Sequence, residues 1–128
     1  QRLDKFVTQR HILQKRYDSL LNDLAIIKPY QDQDNYSALH LYPIQVDLDS
    51  IDKSRQQIFD ELRQSGIGVN VHYIPIHTQP YYQQFGFQEG DFPNSEFYYD
   101  RAISIPLFHT MTLEQQDEVV NNLKSILT

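Results

Sequence analysis

The sequence predicts an α/β (α+β) fold in which a small sheet is covered by helices. Apolar residues recur with helical spacing at both ends of the chain. Two segments between them, residues 38–48 and 67–74, have the composition and alternation of short strands. The resulting order is helix, strand, helix, strand, loop, helix, strand, helix, which is typical of one sheet layer packed against helices.

The first element is a long amphipathic helix over residues 3–24. Its apolar side chains follow a period close to 3.6 residues and are Leu3, Phe6, Val7, Leu13, Tyr17, Leu20, Leu21 and Leu24. Such a helix is about 33 Å long at 1.5 Å per residue, which is more than a small domain needs. We therefore assign residues 1–28 to an interdomain helix, part of which packs on residues outside this chain, and residues 36–128 to a helix-covered sheet.

The central elements are a strand, a helix and a second strand. Residues 38–48 form the first strand, and Pro43 predicts that it lies at an edge or is bulged, because proline cannot donate to a ladder. Residues 49–52 are rich in helix-capping side chains and precede a helix that Gly66 ends in a left-handed conformation. The second strand covers residues 67–74 and ends at Pro75.

The remaining chain begins with a long loop over residues 75–93, which is aromatic and polar. A loop of this length in a small domain is usually functional or packed against another body. A short helix over residues 95–101 and a strand over residues 102–107 follow. The sequence Thr112-Leu113-Glu114-Gln115 is a capping box and predicts the start of the final helix.

Composition excludes several classes of function. A chain of 128 residues fits one domain, and its net charge of −6 offers no basic stripe for nucleic acid. No apolar run is long enough for a membrane span, so we expect neither nucleic acid nor membrane as a partner. The absence of cysteine is compatible with the cytoplasm, where we expect the protein. The single methionine is Met111 and the chain opens within a helical pattern, so we expect a piece of a larger protein.

The densest cluster of chemically useful side chains is residues 71–77, with the sequence VHYIPIH. On a strand, His72 and Tyr73 would face opposite sides of the sheet. The turn at Pro75 would swing His77 back toward His72, so that two imidazoles and a phenol donate hydrogen bonds to phosphate or sugar oxygens. A partly buried structural histidine beside an edge tyrosine remains the alternative.

Other chemistries find little support in the residues. A metal site of His72, His77 and His109 would need ligand spacing and acidic partners that the sequence lacks. Ser50 and Ser104 lack the surrounding glycines of a nucleophile elbow. The five lysines are Lys5, Lys15, Lys28, Lys53 and Lys124, and most of them lie on expected helix surfaces, where Schiff-base chemistry is disfavoured. We therefore assign no catalytic, cofactor-binding or metal-binding residue to this chain.

Several motifs resemble the DegT/DnrJ/StrS sugar aminotransferases. They are residues 66–77 (GIGVNVHYIPIH), 92–96 (FPNSE), 103–108 (ISIPLF) and 111–112 (MT). The opening RLDKF at residues 2–6, with Arg10 and Tyr17, is similar to the long interdomain helix of that family. The resemblance is collinear over nearly the whole chain, although His109 stands where proline is frequent.

The resemblance implies a fold-type I aminotransferase that depends on pyridoxal 5'-phosphate (PLP). A large domain preceding residue 1 would hold the cofactor, and PLP would pass an amino group from glutamate to a keto sugar on a nucleoside diphosphate. Family members are homodimers with active sites at the subunit interface. Residues 71–82 look most like the enzymes that make UDP-4-amino-4,6-dideoxy-N-acetylhexosamines for pseudaminic-acid-type glycans.

The same resemblance implies that the small domain covers the mouth of the active site. His72, Tyr73 and His77 match the family motif, and we expect them to contact the nucleotide-sugar substrate. The chain alone would be inactive. A free-standing binding module for a phosphorylated ligand and a structural or interaction domain remain the alternative functions.

Overall fold

The computed structural model describes residues 2–128, and Gln1, which the sequence places in the first helix, lies outside the described residues. The helices are α1 (Arg2–Leu20), α2 (Arg55–Gln64), α3 (Pro80–Gln83), α4 (Pro93–Arg101) and α5 (Leu113–Leu127). The strands are β1 (Ile26–Ile27), β2 (Tyr42–Val46) and β3 (Ala102–Ile105), and a 3₁₀ turn covers Ile76–Thr78.

The three strands form one antiparallel sheet in the order β1-β2-β3. Tyr42 pairs with Ile105 and Ile44 pairs with Ile103, while β1 pairs with the end of β2. Every residue of β3 is buried, because helices cover the sheet and leave no solvated face along this strand. The prediction of a small sheet covered by helices is confirmed.

Pro43 lies in the central strand of this sheet and in a continuous register with β3, so the prediction of an edge strand or a bulge is wrong. It pairs with Ser104 of β3. On the other side of β2, the two residues of β1 reach only Val46 and Gln45. At Pro43, therefore, β2 is paired with β3 on one side only. The other side is unpaired, and there the missing N–H of proline interrupts no ladder of hydrogen bonds.

The strand expected over residues 67–74 is also wrong, since only Asn70 joins the sheet through an isolated bridge to Ser104. The N–H of Val69 donates to the main-chain oxygen of Ile67 at 3.0 Å, a three-residue turn that breaks the extended backbone. Ile67 and Val69 are nevertheless buried in the core. Their apolar character predicted burial correctly but not the strand.

Helix α1 is shorter than expected. It ends at Leu20, and residues 26–27 of the region assigned to the interdomain helix belong to the sheet instead. Asn22 and Asp23 lie in the intervening turns, in keeping with their weak helix propensity. The inner face of α1 buries Leu13 and Tyr17 against the core, whereas Leu3 on its outer side is 67% exposed.

The helix boundaries that depend on capping follow local chemistry. The capping box of Thr112 and Gln115 is present at the start of α5, as predicted. Helix α2 begins with a second capping box, formed by Ser54 and Gln57, rather than with residues 49–52. Gly66 follows α2 with φ +80°, which confirms the predicted left-handed residue.

Across residues 2–128, none of the helices combines the length and apolarity needed to pass through a bilayer.

Candidate functional site

His72 is anchored to the sheet. Its Nδ1 lies 2.8 Å from the hydroxyl oxygen of Ser104, a buried residue of β3. The main chains of Ser104 and Asn70 exchange two hydrogen bonds, at 2.8 and 3.1 Å. These bonds hold Ser104 and the segment that leads to His72 together. The imidazole of His72 is therefore oriented by β3 rather than by any contact with His77.

Tyr73 is the exposed member of the three residues expected to bind substrate. Its side chain is 74% accessible, and its ring meets that of His72 edge to face with centroids 4.7 Å apart. The peptide bond between the two residues is cis. Within residues 2–128 the phenol of Tyr73 has no hydrogen-bond partner, so this group is available to a neighbouring molecule.

His77 is buried on the 3₁₀ turn that follows Pro75. The turn is closed by the N–H and hydroxyl of Thr78, which donate to the main-chain oxygen of Pro75 at 3.1 and 2.8 Å. The Nε2 of His77 lies 2.6 Å from an oxygen of Glu96, and its ring packs 4.8 Å from that of Phe92. The turn thus points the imidazole inward, toward the start of α4.

Glu96 lies in the first turn of α4, which begins at Pro93. Besides His77, its carboxylate accepts the main-chain N–H of Gly90, at 2.9 and 3.0 Å from the two oxygens. The hydrogen bonds from His77 and from Gly90 lower the pKa of Glu96, because they favour the charged form. The carboxylate is therefore ionised at neutral pH.

A cavity of about 360 Å³ lies beside this pair. It is lined by Ile76, His77, Tyr82, Phe87, Phe92 and Ser95. Several of these residues are partly exposed, so the cavity opens to solvent. Its walls are apolar apart from the imidazole and two hydroxyl groups, and such walls suit the carbon face of an organic ligand.

The segment around the cavity exposes many large apolar side chains. We call this the aromatic surface, defined by Tyr73, Ile74, Ile76, Tyr81, Phe85, Phe87 and Phe92. Large apolar side chains exposed in one segment of a soluble protein favour an interaction or ligand-binding face. The aromatic loop expected over residues 75–93 therefore packs only partly against this chain.

The structure does not bring the three expected residues onto one ligand-facing strand. His72 contacts Ser104 and His77 contacts Glu96, while Tyr73 faces solvent. Sequence reasoning missed Glu96 altogether. The signal that could have found it is the FPNSE motif, in which proline starts a helix and places a carboxylate in its first turn.

A metal centre of His72, His77 and His109 is not formed. In the part of the chain that the structure describes, no three histidine, aspartate, glutamate or cysteine side chains gather in a group that could hold a metal ion. His109 instead packs on Phe6, with ring centroids 3.8 Å apart.

The cavity beside His77 lacks the groups that would hold PLP. The cofactor needs a lysine amine within reach and donors for its phosphate. The residues that line the cavity include no lysine and no arginine. The amine of Lys28 binds Asn22 and the main-chain oxygen of Asp18, and that of Lys53 binds Glu61 and the main-chain oxygen of Ile126.

Comparison with known proteins places the chain among aminotransferases. Residues 1–124 match the model of the DegT/DnrJ/EryC1/StrS aminotransferase family. SpsC, a spore coat polysaccharide biosynthesis protein of Bacillus subtilis, is 36% identical over 129 residues. That match covers 98% of this chain and 33% of SpsC, so the chain spans about a third of the length of this relative.

Solved structures show the same fold. Spr1654 from Streptococcus pneumoniae, in its apo form, superposes with a TM-score of 0.88 at 26% identity, over 98% of this chain and 31% of Spr1654. The PLP form of Spr1654 gives a TM-score of 0.84. PseC from Helicobacter pylori, an aminotransferase involved in the biosynthesis of pseudoaminic acid, gives 0.84 at 24% identity, over 95% of this chain and 33% of PseC.

Proposed function

Because the chain belongs to the DegT/DnrJ/EryC1/StrS aminotransferase family, we propose that it is the C-terminal small domain of a PLP-dependent sugar aminotransferase. The complete protein, meaning the product of the whole reading frame that contains this chain, moves an amino group from glutamate to a keto sugar. The sugar is a UDP-linked deoxyhexosamine destined for surface polysaccharide. The complete protein is a cytoplasmic homodimer, and its large domain holds PLP.

The comparisons and the cavity support the proposal that the large domain holds PLP and that this chain contacts the substrate. The chain covers about a third of SpsC and of Spr1654, and Spr1654 has been solved in a PLP form. The residues that line the cavity beside His77 include no lysine, which supports placing the cofactor's anchor in the large domain. The name of SpsC supports a role in polysaccharide biosynthesis. The UDP sugar rests on the resemblance of residues 71–82 alone.

The observation that carries the proposal is the aromatic surface, which lies beside the buried His77 and the partly buried Glu96. Apolar side chains that are left open to water in this chain would be covered by a cofactor-bearing body. Covering the site would also exclude water from the reacting groups. When bound to the large domain, PLP supplies the electron sink. This chain contributes only contacts to the substrate.

His72, Tyr73 and His77 are the contacts we propose. Tyr73 presents a free phenol, which can donate to or accept from a sugar or phosphate oxygen. His72 and His77 each have one ring nitrogen engaged, with Ser104 and Glu96, which leaves the other nitrogen for a ligand. Fixed imidazoles hold a ligand with less loss of entropy than mobile ones.

The substitution His77→Ala in the complete protein tests the site. We expect the KM for the nucleotide sugar to rise about tenfold, as for the loss of one hydrogen bond to the substrate, with the absorbance of bound PLP unchanged. His40→Ala is the matched control, because His40 is exposed and lies outside the cavity. An unchanged KM in His77→Ala would remove His77 from the site.

The alternative functions are separated by a binding measurement on the 128-residue chain. A free-standing module for phosphorylated ligands would bind UDP sugars without help in isothermal titration. We expect little heat, because the cavity has apolar walls and no cationic side chain among its lining residues. A structural domain would also give no heat, but it would leave the kinetics of the complete protein unchanged in Tyr73→Phe and His77→Ala.

A further inference from the structure

One carboxylate joins three parts of the site. Glu96 belongs to α4, and one of its oxygens lies 2.6 Å from Nε2 of His77 on the 3₁₀ turn. Both of its oxygens also accept the N–H of Gly90 in the loop before α4, at 2.9 and 3.0 Å. Gly90 has φ +95°, a conformation that residues with a side chain disfavour. In this conformation the N–H of Gly90 reaches the carboxylate of Glu96. Glu96 therefore fixes both the histidine and the loop.

The carboxylate also dictates where the histidine carries its proton. An ionised carboxylate only accepts hydrogen bonds, so the nitrogen 2.6 Å away has to carry hydrogen. In a neutral imidazole, a proton on Nε2 leaves Nδ1 as an acceptor. Within residues 2–128, Nδ1 of His77 has no hydrogen-bond partner, and the ring lines the cavity. In this neutral tautomer, the atom left for a ligand is an acceptor.

We propose that His77 is neutral in this site and that Glu96 is a positioning residue that holds it as the Nε2–H tautomer, so that the cavity recognises a ligand group that donates a hydrogen bond. The class of group is a sugar hydroxyl or an amide N–H. This inference rests on the proposed function, because it assigns the ligand group that His77 contacts.

The surroundings of His77 and Glu96 favour a neutral ligand group that donates a hydrogen bond and disfavour phosphate. Phosphate diester oxygens only accept hydrogen bonds, so they do not complement an acceptor nitrogen. The ionised carboxylate of Glu96 would repel an anion bound beside His77. The residues that line the cavity include no lysine or arginine to offset that repulsion. The apolar walls fit the C–H face of a sugar ring that carries such a hydroxyl or amide.

Nitrogen-15 NMR of the complete protein, labelled at histidine, reads the tautomer directly. The His77 signals are assigned by their loss in His77→Gln. We expect a protonated Nε2 and an unprotonated Nδ1 at neutral pH. In Glu96→Gln the amide can either accept or donate, so we expect a mixture of tautomers. Glu118→Gln, an exposed change on α5, should leave the wild-type pattern. Protonated Nδ1 in the wild-type protein would overturn the inference.

Steady-state kinetics test the consequence for substrate. We expect Glu96→Gln to raise the KM for the nucleotide sugar about tenfold, as for the loss of one hydrogen bond to the substrate, with kcat within about threefold. Glu96→Asp retains the charge but has a shorter reach, and we expect an intermediate KM. A fall in melting temperature without a change in KM or tautomer would reduce Glu96 to a structural role.

The two hypotheses fail in different ways. If His77→Ala leaves KM unchanged, the proposed contact is wrong, and the nitrogen-15 spectrum alone still decides whether Glu96 sets the tautomer. If His77→Ala raises KM while Glu96→Gln changes neither KM nor the spectrum, the contact stands and the positioning role is overturned.

Discussion

The side-chain amide of Gln116 donates to the main-chain oxygen of Leu13 at 2.7 Å, and Gln116 is completely buried. Its oxygen accepts from the guanidinium of Arg16 at 3.1 Å, and the same guanidinium pairs with Asp117 at 2.6 Å. These bonds join α1 to α5, whose apolar faces also meet in the core. A buried polar link fixes the register between two helices that apolar packing alone would specify less tightly.

We expect Gln116→Ala to lower the free energy of unfolding by about 2 kcal/mol, because it strips the partners from buried polar groups. Urea unfolding of the 128-residue chain, followed by circular dichroism, measures the change. Gln64→Ala is the control, since Gln64 is exposed near the end of α2. Equal effects of the two substitutions would show that the link between α1 and α5 contributes nothing.

Tyr17 and Tyr42 make the fold sensitive to alkali. Burial raises the pKa of Tyr17 well above its usual value. Burial raises the pKa of Tyr42 as well, and its hydrogen bond to Asp18 at 2.5 Å adds to that rise. In the unfolded chain both phenols ionise near their ordinary pKa of about 10. Their stabilising contribution is therefore complete below about pH 10 and is lost as the pH rises toward the folded pKa values.

We expect the urea midpoint to fall above about pH 10, and to fall less steeply in Tyr42→Phe. Tyr30→Phe should keep the wild-type slope, because Tyr30 is 87% exposed. Identical slopes in all three proteins would contradict the protonation linkage assigned to Tyr42.

Glu96 is expected to lose its contribution to stability at low pH, whereas the two tyrosines lose theirs at high pH. Its pKa is lowered by the hydrogen bonds of His77 and Gly90, so its contribution to stability is complete above the ordinary pKa of about 4.3 and is lost as the pH falls through the folded pKa. Carbon-13 titration of the side-chain carboxyl should give a midpoint below that ordinary value. A midpoint at or above the ordinary value would argue against the hydrogen bonds from His77 and Gly90.

Two glycines next to the second helix provide a matched pair. Gly66 has φ +80°, whereas Gly68 lies outside the left-handed region, and a methyl group at either position meets no atom within 4 Å. We expect Gly66→Ala to cost about 1 kcal/mol and Gly68→Ala to be neutral or slightly stabilising, because alanine restricts the unfolded chain. Equal losses of stability in the two variants would rule out backbone conformation as the cause.

Features governed by local chemistry were predictable from the sequence. The capping box at Thr112 and the left-handed Gly66 were both found where the residue types require them. The expected short helix and strand after Phe92 correspond to α4 and β3, with shifted ends. In each case the deciding interaction lies within a few residues of the chain.

Features governed by pairing partners were not predictable. The apolar segment at Ile67 and Val69 is buried, but only Asn70 finds a partner in the sheet. The two-residue β1 is too short to leave a pattern in the sequence, and its shortness is what accommodates Pro43 in the central strand. The pairing of His77 with Glu96 depends on how α4 packs beside the 3₁₀ turn, which no spacing rule encodes.

The claim on which the account depends is that this chain serves a PLP-dependent aminotransferase. The most direct measurement is the visible absorbance of the complete protein, purified with PLP, before and after glutamate is added. We expect the PLP spectrum to convert to that of the PMP form, and a UDP-linked keto sugar to restore it. A complete protein that binds no PLP, or whose bound PLP is unaffected by any amino donor, would contradict the account.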